Sequence, residues 1–429
     1  DNRIEGIVIF GDTTDGARLF GYLQEGRDIS DIRSTILFGE GVKSGGVNID
    51  TMTDDTIVCG CNGVTKKMII DAVETKGLFT RADVCKETRA SSSCGGCGDL
   101  IDVLLESVLG SNFESATATG ICECTKYTRE DIIKNIQERR LLSVGEVLET
   151  LGWETVGCEA CRPAINYYVS MVWPLEALDD RSSRLVNERE HANIQADDTF
   201  SVVPRMYGGV TTPDELRRIA KAADDYSVPL VKITGGQRID LIGVKREDLS
   251  DVWKALDMPS GFAYAKALRT VKSCVGKLHC RYGTQDSLTL AVDLEKYFEG
   301  LWMPAKVKLS VSGCPRNCSE SGIKDVGIVG VKGGFEILVG GSGGIESKGA
   351  KPLIIVETAE EVLDITAAFL QYYRESADYG ERTYKWVRRV GLDRIKKSII
   401  EDDLRRAELS ARMEEALSGT YDPWKEKIA

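Results

Sequence analysis

Two stretches, CVGKLHC at residues 274–280 and SGCPRNCSESG at residues 312–322, decide the fold of this 429-residue chain. They supply four cysteines, with five residues between the first two and three between the last two: Cys274, Cys280, Cys314 and Cys318. Gly313 and Pro315 predict a tight loop in which the backbone can close over a bound metal group. The spacing is typical neither of zinc ribbons nor of the Cys-x-x-Cys-x-x-Cys run of ordinary ferredoxins.

Eight further cysteines form two quartets that repeat another spacing. Each quartet has Cys-x-Cys, a gap of 32 or 33 residues, and Cys-x-x-Cys: Cys59, Cys61, Cys94 and Cys97, then Cys122, Cys124, Cys158 and Cys161. Apolar residues recur at helical spacing after every pair, at Thr65–Thr75, Leu100–Leu109, Thr128–Glu138 and Ala164–Val172. We therefore predict two small, mostly helical modules in tandem, with Cys85 left over as a small apolar side chain.

Composition and charge exclude several classes of protein. The length predicts about three domains, and the apolar fraction of 42% is that of an ordinary globular protein. A net charge of −12 gives no basic field for nucleic acid or for an anionic membrane surface. Apolar runs such as Gly6–Gly11 and Val326–Val331 are too short to span a bilayer. The two histidines exclude a multi-histidine metal site, which leaves the thirteen cysteines as the informative residues.

Three chemistries compete for these cysteines. A disulfide framework is typical of small secreted domains, whereas a large acidic chain without a visible export signal fits a reducing cytosol. Four thiolates also make a closed zinc site, but zinc ribbons usually bridge roughly 15–20 residues. Iron–sulfur clusters are favoured, because iron prefers soft sulfur donors and because the unusual spacing occurs twice in register. We expect a cytoplasmic iron–sulfur protein, with structural zinc as the competing interpretation.

The cysteine spacings carry two resemblances. Each tandem module resembles a bacterioferritin-associated-ferredoxin-type [2Fe-2S] domain, matched at its own four cysteines. The third quartet resembles the [4Fe-4S]–siroheme signature of assimilatory nitrite and sulfite reductases. This resemblance implies that Cys274, Cys280, Cys314 and Cys318 hold a [4Fe-4S] cluster. It also implies that Cys318 bridges the cluster to the siroheme iron.

Reduction of a small oxyanion requires fixed positive charge in a site shielded from water. Four candidates lie near these motifs: Arg205, Arg269, Lys306 and Lys308. Alternation places Lys306 and Lys308 on one face of a strand, which by itself also fits a solvated strand edge. The resemblance favours the catalytic interpretation, since siroheme reductases place two arginines and two lysines over the open face of the haem. Arg281 and Arg316 are candidates for binding the siroheme carboxylates.

Other segments extend the resemblance along the chain. The stretch GIVIFGDTTDGARLFGYL near the start resembles the C-terminal end of a flavin-dependent NAD(P)H oxidoreductase module. Residues 195–262 read as the strands and helices of a ferredoxin-like half-domain. The predicted domains are an oxidoreductase remnant at 1–55, [2Fe-2S] domains at 56–110 and 118–173, a linker at 174–194, the half-domain at 195–262, the siroheme–[4Fe-4S] domain at 263–405 and a helical tail at 406–429.

The predicted fold class is multidomain: two small, mostly helical [2Fe-2S] domains, an α+β ferredoxin-like half-domain and an α/β siroheme–[4Fe-4S] domain. The whole resembles the C-terminal part of the large subunit in the assimilatory NAD(P)H nitrite reductase family. That resemblance implies six-electron reduction of nitrite to ammonia in nitrate assimilation. Sulfite reduction is the alternative within enzymes, and a zinc-stapled interaction protein is the alternative from another class.

The resemblance also implies partners. FAD and NAD(P)H would bind a module that we expect upstream of Asp1. A Rieske-like small subunit is a further expected partner. Because full siroheme reductases carry the half-domain and cluster domain twice and this sequence carries them once, a second chain, as in a homodimer, is expected to complete the haem pocket.

Overall fold

The computed structural model describes residues 3–6, 22–23, 26–30, 52–59, 63–90, 98–110, 120–153, 155–344 and 346–420. The chain divides into two compact units, Asp1–Ala118 and Thr119–Ala429. Most of the stretch that resembles an oxidoreductase module, and Cys61, Cys94 and Cys97, lie outside the described residues.

The first unit contains the first cysteine module. Its described elements are β1 (Ile57–Cys59), β2 (Val64–Thr65), α1 (Lys66–Lys76), α2 (Arg81–Thr88) and α3 (Gly98–Leu109). The Thr65 hydroxyl accepts a hydrogen bond from the N–H of Met68 and so caps α1, which ends at Gly77 in the left-handed conformation. One apolar face of each helix packs into a common core that also buries Cys59.

The second unit begins with the second cysteine module, whose described helices are α4 (Arg129–Arg139), α5 (Val144–Thr150) and α6 (Cys161–Val172). Thr128 with Asp131, and Ser143 with Glu146, form capping boxes that fix where α4 and α5 begin. Buried residues at helical spacing, such as Ile132 and Ile136, face α6.

This module packs directly on the rest of its unit. The Arg129 Nε donates a hydrogen bond to the carbonyl of Ala377 at 3.0 Å, and the Tyr167 hydroxyl donates one to the carbonyl of Arg374 at 2.8 Å. The Tyr167 and Trp302 rings meet edge to face with centroids 5.8 Å apart. The second module is thus a fixed part of the larger unit.

The stretch predicted as a linker, 174–194, is held on the second module by side-chain contacts. Arg162 forms an ion pair with Asp180, and Asn166 donates a hydrogen bond to Asp179 at 3.0 Å. Arg184 pairs with Asp179 at 2.9 Å and lies 4.2 Å from the centroid of the Trp302 ring. The segment also includes the short helix α7 (Val186–Arg189).

A half-domain of four strands and two helices follows in the described residues. These elements are β3 (Asn193–Ile194), β4 (Phe200–Val202), α8 (Pro213–Asp225), β5 (Leu230–Ile233), β6 (Ile239–Val244) and α9 (Leu249–Leu256). The strands form an antiparallel sheet in the order β3-β4-β6-β5. Thr212, with proline at the first helical position and Glu215, caps α8.

The remaining described residues form a five-stranded mixed sheet with helices. The strands are β7 (Leu268–Ser273), β8 (Val307–Ser312), β9 (Val326–Val331), β10 (Gly334–Val339) and, after the short pair β11 (Ser342–Gly343) and β12 (Ser347–Lys348), β13 (Lys351–Val356). The helices are α10 (Gly276–His279), α11 (Ser287–Tyr297), α12 (Ala359–Ser376), α13 (Thr383–Val390), α14 (Leu392–Ile399) and α15 (Asp403–Ser418).

The order of this sheet is β13-β10-β9-β8-β7. Strands β7, β8 and β9 are parallel, and β7 is the edge strand within the described sheet. Val307, Leu309 and Val311 of β8 are fully buried in the core that the helices cover. Within the described ranges, no helix has the length and apolar character needed to cross a bilayer.

Candidate functional site

The four cysteines of the second quartet converge. The sulfur atoms of Cys122, Cys124, Cys158 and Cys161 all lie within 4.8 Å of one another, and Cys161 is the first residue of α6. Backbone N–H groups turn toward the sulfurs, since the N–H of Cys158 donates to Cys161 Sγ at 3.1 Å. Four soft donors at this separation fit a small iron–sulfur cluster.

The thiol pKa values in this quartet diverge. Burial raises the pKa of Cys122. For Cys158, burial acts in the same direction, but hydrogen bonds from the N–H groups of Cys161 and Ala160 outweigh it and lower the pKa to about 7. A thiol that ionises near neutral pH is prepared to bind metal as the thiolate.

Of the first quartet, the structure describes one cysteine. Cys59 ends β1 and is 1% exposed. Cys61, Cys94 and Cys97 lie outside the described residues. The odd thiol, Cys85, lies on α2 and is half-buried.

The third quartet lines one cavity. Cys274 directly follows β7, and Cys314 comes two residues after β8. Because these strands are parallel neighbours, both cysteines lie beyond the C-terminal ends of the strands, on the same side of the sheet. With Cys280 and Cys318 they line a cavity of about 570 Å³. Four thiols around one open space are the donor set of a [4Fe-4S] cluster, so the residues present fit that group.

Two glycines allow the cysteine loops to approach each other. Gly276 has φ +56°, and a Cβ there would lie 2.6 Å from Ser287 Oγ. A Cβ on Gly313 would lie 2.8 Å from Gly276 Cα. The N–H of Gly313 donates to Cys274 Sγ at 3.1 Å. Although burial opposes the shift, hydrogen bonds from the Ser287 hydroxyl and from this N–H lower the pKa of Cys274.

A second cavity, of about 420 Å³, is lined in part by sequence neighbours of the third quartet. Lys272 in its wall precedes Cys274 by two residues, and Glu320 follows Cys318 by two. We call it the cationic cavity, because its described lining carries seven cations, Arg238, Arg269, Lys272, Lys306, Lys308, Lys324 and Arg382, and only two carboxylates, Glu320 and Asp325. This excess of positive charge fits a small oxyanion and a macrocycle that bears several carboxylates.

Three of the four predicted cations meet in this cavity. Arg269 lies on β7, Lys306 directly precedes β8, and Lys308 is its second residue. Strand β8 lies between β7 and β9, so its alternation separates the core from the cavity and does not mark a solvated edge.

Desolvation and mutual repulsion lower the pKa values of these cations. Lys308 stays exposed to the cavity, but the protein around it removes part of its water, and this desolvation, with repulsion from Arg269 and Lys306, lowers its pKa to about 8. Burial and the nearby Arg382 lower the pKa of Arg269 to about 10. Asp325 is the counter-charge: it accepts hydrogen bonds from the backbone N–H of Lys308 at 2.8 Å and from Arg382 at 3.0 Å.

The structure does not bring Arg205 into the cationic cavity. Its side chain is fully buried and is not among the described residues of the lining. Its Nη1 lies 2.7 Å from Glu295 Oε1, and Glu295 is fully buried as well. Arg205 follows β4 and is directed into the interior between the half-domain and the sheet, which the strand pattern could not indicate.

Of the two arginines predicted to bind carboxylates, one lines the cavity of the third quartet, which we call the cysteine cavity. Arg316 lines that cavity, and its guanidinium lies 4.1 Å from the centroid of the Tyr282 ring. Arg281 lies 5.4 Å from the same centroid. Neither is among the described residues that line the cationic cavity.

Sequence reasoning missed four cations of the cavity: Arg238, Lys272, Lys324 and Arg382. Arg238 is 7% exposed, donates a hydrogen bond to the carbonyl of Gly261 at 2.6 Å, and keeps an Nε that has no partner among the described atoms. Burial, with repulsion from Arg205, lowers its pKa to about 10. Arg238 directly precedes β6, and no local motif marks it as a residue of the cavity.

Comparison with known proteins places these sites in a family. The nitrite and sulphite reductase 4Fe-4S domain matches residues 264–407, the nitrite/sulfite reductase ferredoxin-like half domain matches residues 193–259, and the BFD-like [2Fe-2S] binding domain matches residues 57–107 and 120–171. An assimilatory-type sulfite reductase of Nitratidesulfovibrio vulgaris is 35% identical over 215 residues, which are 50% of this chain and 99% of that protein. The chain belongs to the nitrite and sulfite reductase family.

Other members of the nitrite and sulfite reductase family match nearly the whole chain. Nitrite reductase [NAD(P)H] of Bacillus subtilis is 53% identical over 428 residues, covering 99% of this chain and 53% of that protein. The nitrite reductase (NADH) large subunit of Escherichia coli is 33% identical over 428 residues, covering 97% of this chain and 50% of that protein. The chain spans about half the length of these two relatives.

Proposed function

We propose that this chain reduces nitrite to ammonia as the iron–sulfur and siroheme part of an NAD(P)H nitrite reductase. The observation that carries the proposal is the pair of parallel strands β7 and β8. Each bears a cation of the cationic cavity and then leads to a cysteine of the third quartet: Arg269 and Cys274 on one, Lys308 and Cys314 on the other. An anion-binding site is thereby built next to an electron-storing metal site.

The proposed cofactors are siroheme, one [4Fe-4S] cluster and two [2Fe-2S] clusters. When bound, siroheme would supply the metal to which an oxyanion can bind and would pass electrons to that anion, and Cys318 is the residue that would hold it beside the [4Fe-4S] cluster. The cationic cavity would hold the macrocycle. Arg281 and Arg316 lie outside the described lining of that cavity and stay candidates only for carboxylates that reach toward the cluster. The cysteines of the first two quartets would hold the [2Fe-2S] clusters that relay electrons.

The cavity side chains would bind the anion and supply protons. Arg269, Lys306 and Lys308 place positive charge where the nitrite oxygens carry negative charge, and they are held there before the substrate arrives. Lys308 has a pKa of about 8, so its Nζ can donate a proton near neutral pH to an oxygen that leaves as water. Asp325 keeps Arg382 and the Lys308 backbone in place.

Electrons would enter from a flavin-containing module. NAD(P)H delivers a hydride pair, and a flavin such as FAD accepts the pair and passes single electrons onward. In this proposal the two [2Fe-2S] modules stand between that module, a remnant of which we assign to residues 1–55, and the siroheme domain at 263–405. A Rieske-like small subunit and a second copy of the chain are the proposed further partners.

Nitrite is favoured over sulfite because the Bacillus subtilis and Escherichia coli relatives described above, each of which matches nearly the whole chain, are called nitrite reductases. The test is a side-by-side assay of the anaerobically purified chain with electrochemically reduced methyl viologen and either anion. We expect ammonium from nitrite, with six dye molecules oxidised per ammonium, and a higher kcat/KM than for sulfite. A higher kcat/KM for sulfite would show that sulfite, and not nitrite, is the preferred substrate. A siroheme-loaded chain that turns over neither anion would overturn the proposal.

A further inference from the structure

The buried pair Arg205–Glu295 lies against the outer edge of β7. The Arg205 guanidinium donates to the carbonyls of Arg269 at 3.4 Å, Leu268 at 3.5 Å and Ser260 at 3.3 Å. Glu295 Oε2 accepts from the N–H of Val271 at 3.2 Å. Since β7 is the edge strand of the described sheet, these backbone groups have no strand partner on that side. The pair takes the place of a neighbouring strand.

A second contact continues this edge toward the cysteine. The N–H of Ser273 donates to Gln237 Oε1 at 2.9 Å, and Gln237 Nε2 donates to the carbonyl of Ser273 at 2.8 Å. The side-chain amide of Gln237 thus pairs with Ser273 as a strand would. Glu295 also accepts from the N–H of Gly208 at 2.8 Å, which ties the lining of the cysteine cavity to the same carboxylate.

The strand held in this way serves both sites. Arg269 and Lys272 of β7 line the cationic cavity, and Cys274, one residue beyond the strand, lines the cysteine cavity. A shift of β7 along its axis would move the cation relative to Lys308 on β8 and the thiol relative to Cys314. Displacements of about 1 Å in a reacting site can lower rates about 100-fold.

The chemical nature of the pair indicates more than packing. Removing two charges from water is unfavourable, and apolar side chains of similar volume often stabilise a protein equally well or better. What apolar side chains cannot provide is a set of hydrogen bonds that fixes the register of an edge strand. The Arg205 guanidinium donates to the successive carbonyls of Leu268 and Arg269. The Glu295 carboxylate accepts from the N–H of Val271 on the same strand.

We infer that Arg205 and Glu295 are positioning residues that fix β7 and thereby set the anion site and the cluster ligand in register. The inference rests on the proposed function for its kinetic readout only. Arg205 touches neither the cavity nor the described cysteines, so its effect passes through the backbone of β7.

The test compares the double variant Arg205→Met with Glu295→Leu, the single variant Arg205→Lys and the native chain. A control double variant, Arg406→Met with Asp364→Leu, removes a salt bridge of 3.0 Å between α15 and α12. Four quantities are measured: the Tm, kcat and KM for nitrite, the nitrite affinity from the siroheme absorbance shift, and the rate at which a chelator removes iron from the [4Fe-4S] cluster.

We expect the Arg205/Glu295 double variant to fold, because no buried charge is left unpaired, but with a lower Tm, because backbone groups of β7 and Gly208 lose their hydrogen bonds. Its kcat/KM should fall about 10- to 100-fold, through a lower kcat and a higher KM, and its cluster should lose iron faster. Arg205→Lys keeps the charge but loses the planar guanidinium that donates to several carbonyls at once, and it should show the same changes to a smaller extent. The control pair should change the Tm alone.

A folded double variant with native kcat/KM and native iron retention, whatever its Tm, would show that the pair is merely structural and would overturn the inference. If the double variant does not fold, Arg205→Lys with native kinetics and iron retention would overturn it in the same way. A native chain that does not reduce nitrite would overturn the proposed function, whereas iron release would still test the pair.

Discussion

Replacing Cys318 with serine is expected to abolish nitrite reduction while the signals of both [2Fe-2S] clusters persist. Cys318 lines the cysteine cavity and is exposed there, as expected of a ligand with a free side toward a second group. Serine removes the soft thiolate that would join the [4Fe-4S] cluster to siroheme. The second quartet is built from other elements and does not depend on Cys318. Electron paramagnetic resonance of the reduced variant, recorded beside a dye-driven assay, measures both effects.

The matched control is Cys85→Ser. Cys85 is the thirteenth cysteine, half-buried on α2, and belongs to none of the quartets. This variant should retain every cluster and the native rate. Loss of a cluster in Cys85→Ser, or native turnover in Cys318→Ser, would show that the ligands are wrongly assigned.

Replacing Lys308 with methionine is expected to lower kcat/KM for nitrite by about 10²–10³-fold, the scale for one preorganised electrostatic contact. Lys306→Met should act similarly, because both ammonium groups line the cationic cavity. The pH dependence should identify the group. Lys308 loses its proton as the pH rises through about 8, so kcat/KM should decline above that pH. Lys308→Arg should move the decline to higher pH, since a guanidinium keeps its charge.

Lys332→Met is the control for charge alone, since Lys332 is exposed and is not among the described residues of the cavity. Its rate should match the native one, and siroheme content should be unchanged in all of these variants. Native rates in both Lys306→Met and Lys308→Met would remove these lysines from the anion site.

Some of the site could be read from spacing because the ligands are close in sequence. Cys-x-Cys and Cys-x-x-Cys repeat in tandem, and the structure brings the second set within 4.8 Å. Alternation predicts that Lys306 and Lys308 share one face, and the resemblance to siroheme reductases, not the alternation, directs that face to the anion site; both residues do line the cationic cavity. Local periodicity is visible in a sequence, and these residues obey it.

The rest depends on contacts between distant segments. Arg238, Lys324 and Arg382 reach one cavity from three separate parts of the chain, and no local motif links them. Arg205 was assigned to the anion site from its position after a strand, but only the fold brings Glu295, 90 residues away, against its guanidinium. The predicted linker was charged and rich in turns, and its ordering by Arg162 and Asn166 is likewise a tertiary effect.

We propose that the three cysteine quartets hold iron–sulfur clusters and that siroheme binds beside the third. Metal and siroheme analysis of the anaerobically purified chain, together with its visible spectrum, tests this claim most directly. Clusters of two, two and four irons plus the siroheme iron give about nine irons per chain, with one siroheme and a brown-green colour. A folded, colourless preparation that contains zinc and no iron would contradict the account, because zinc sites do not absorb visible light.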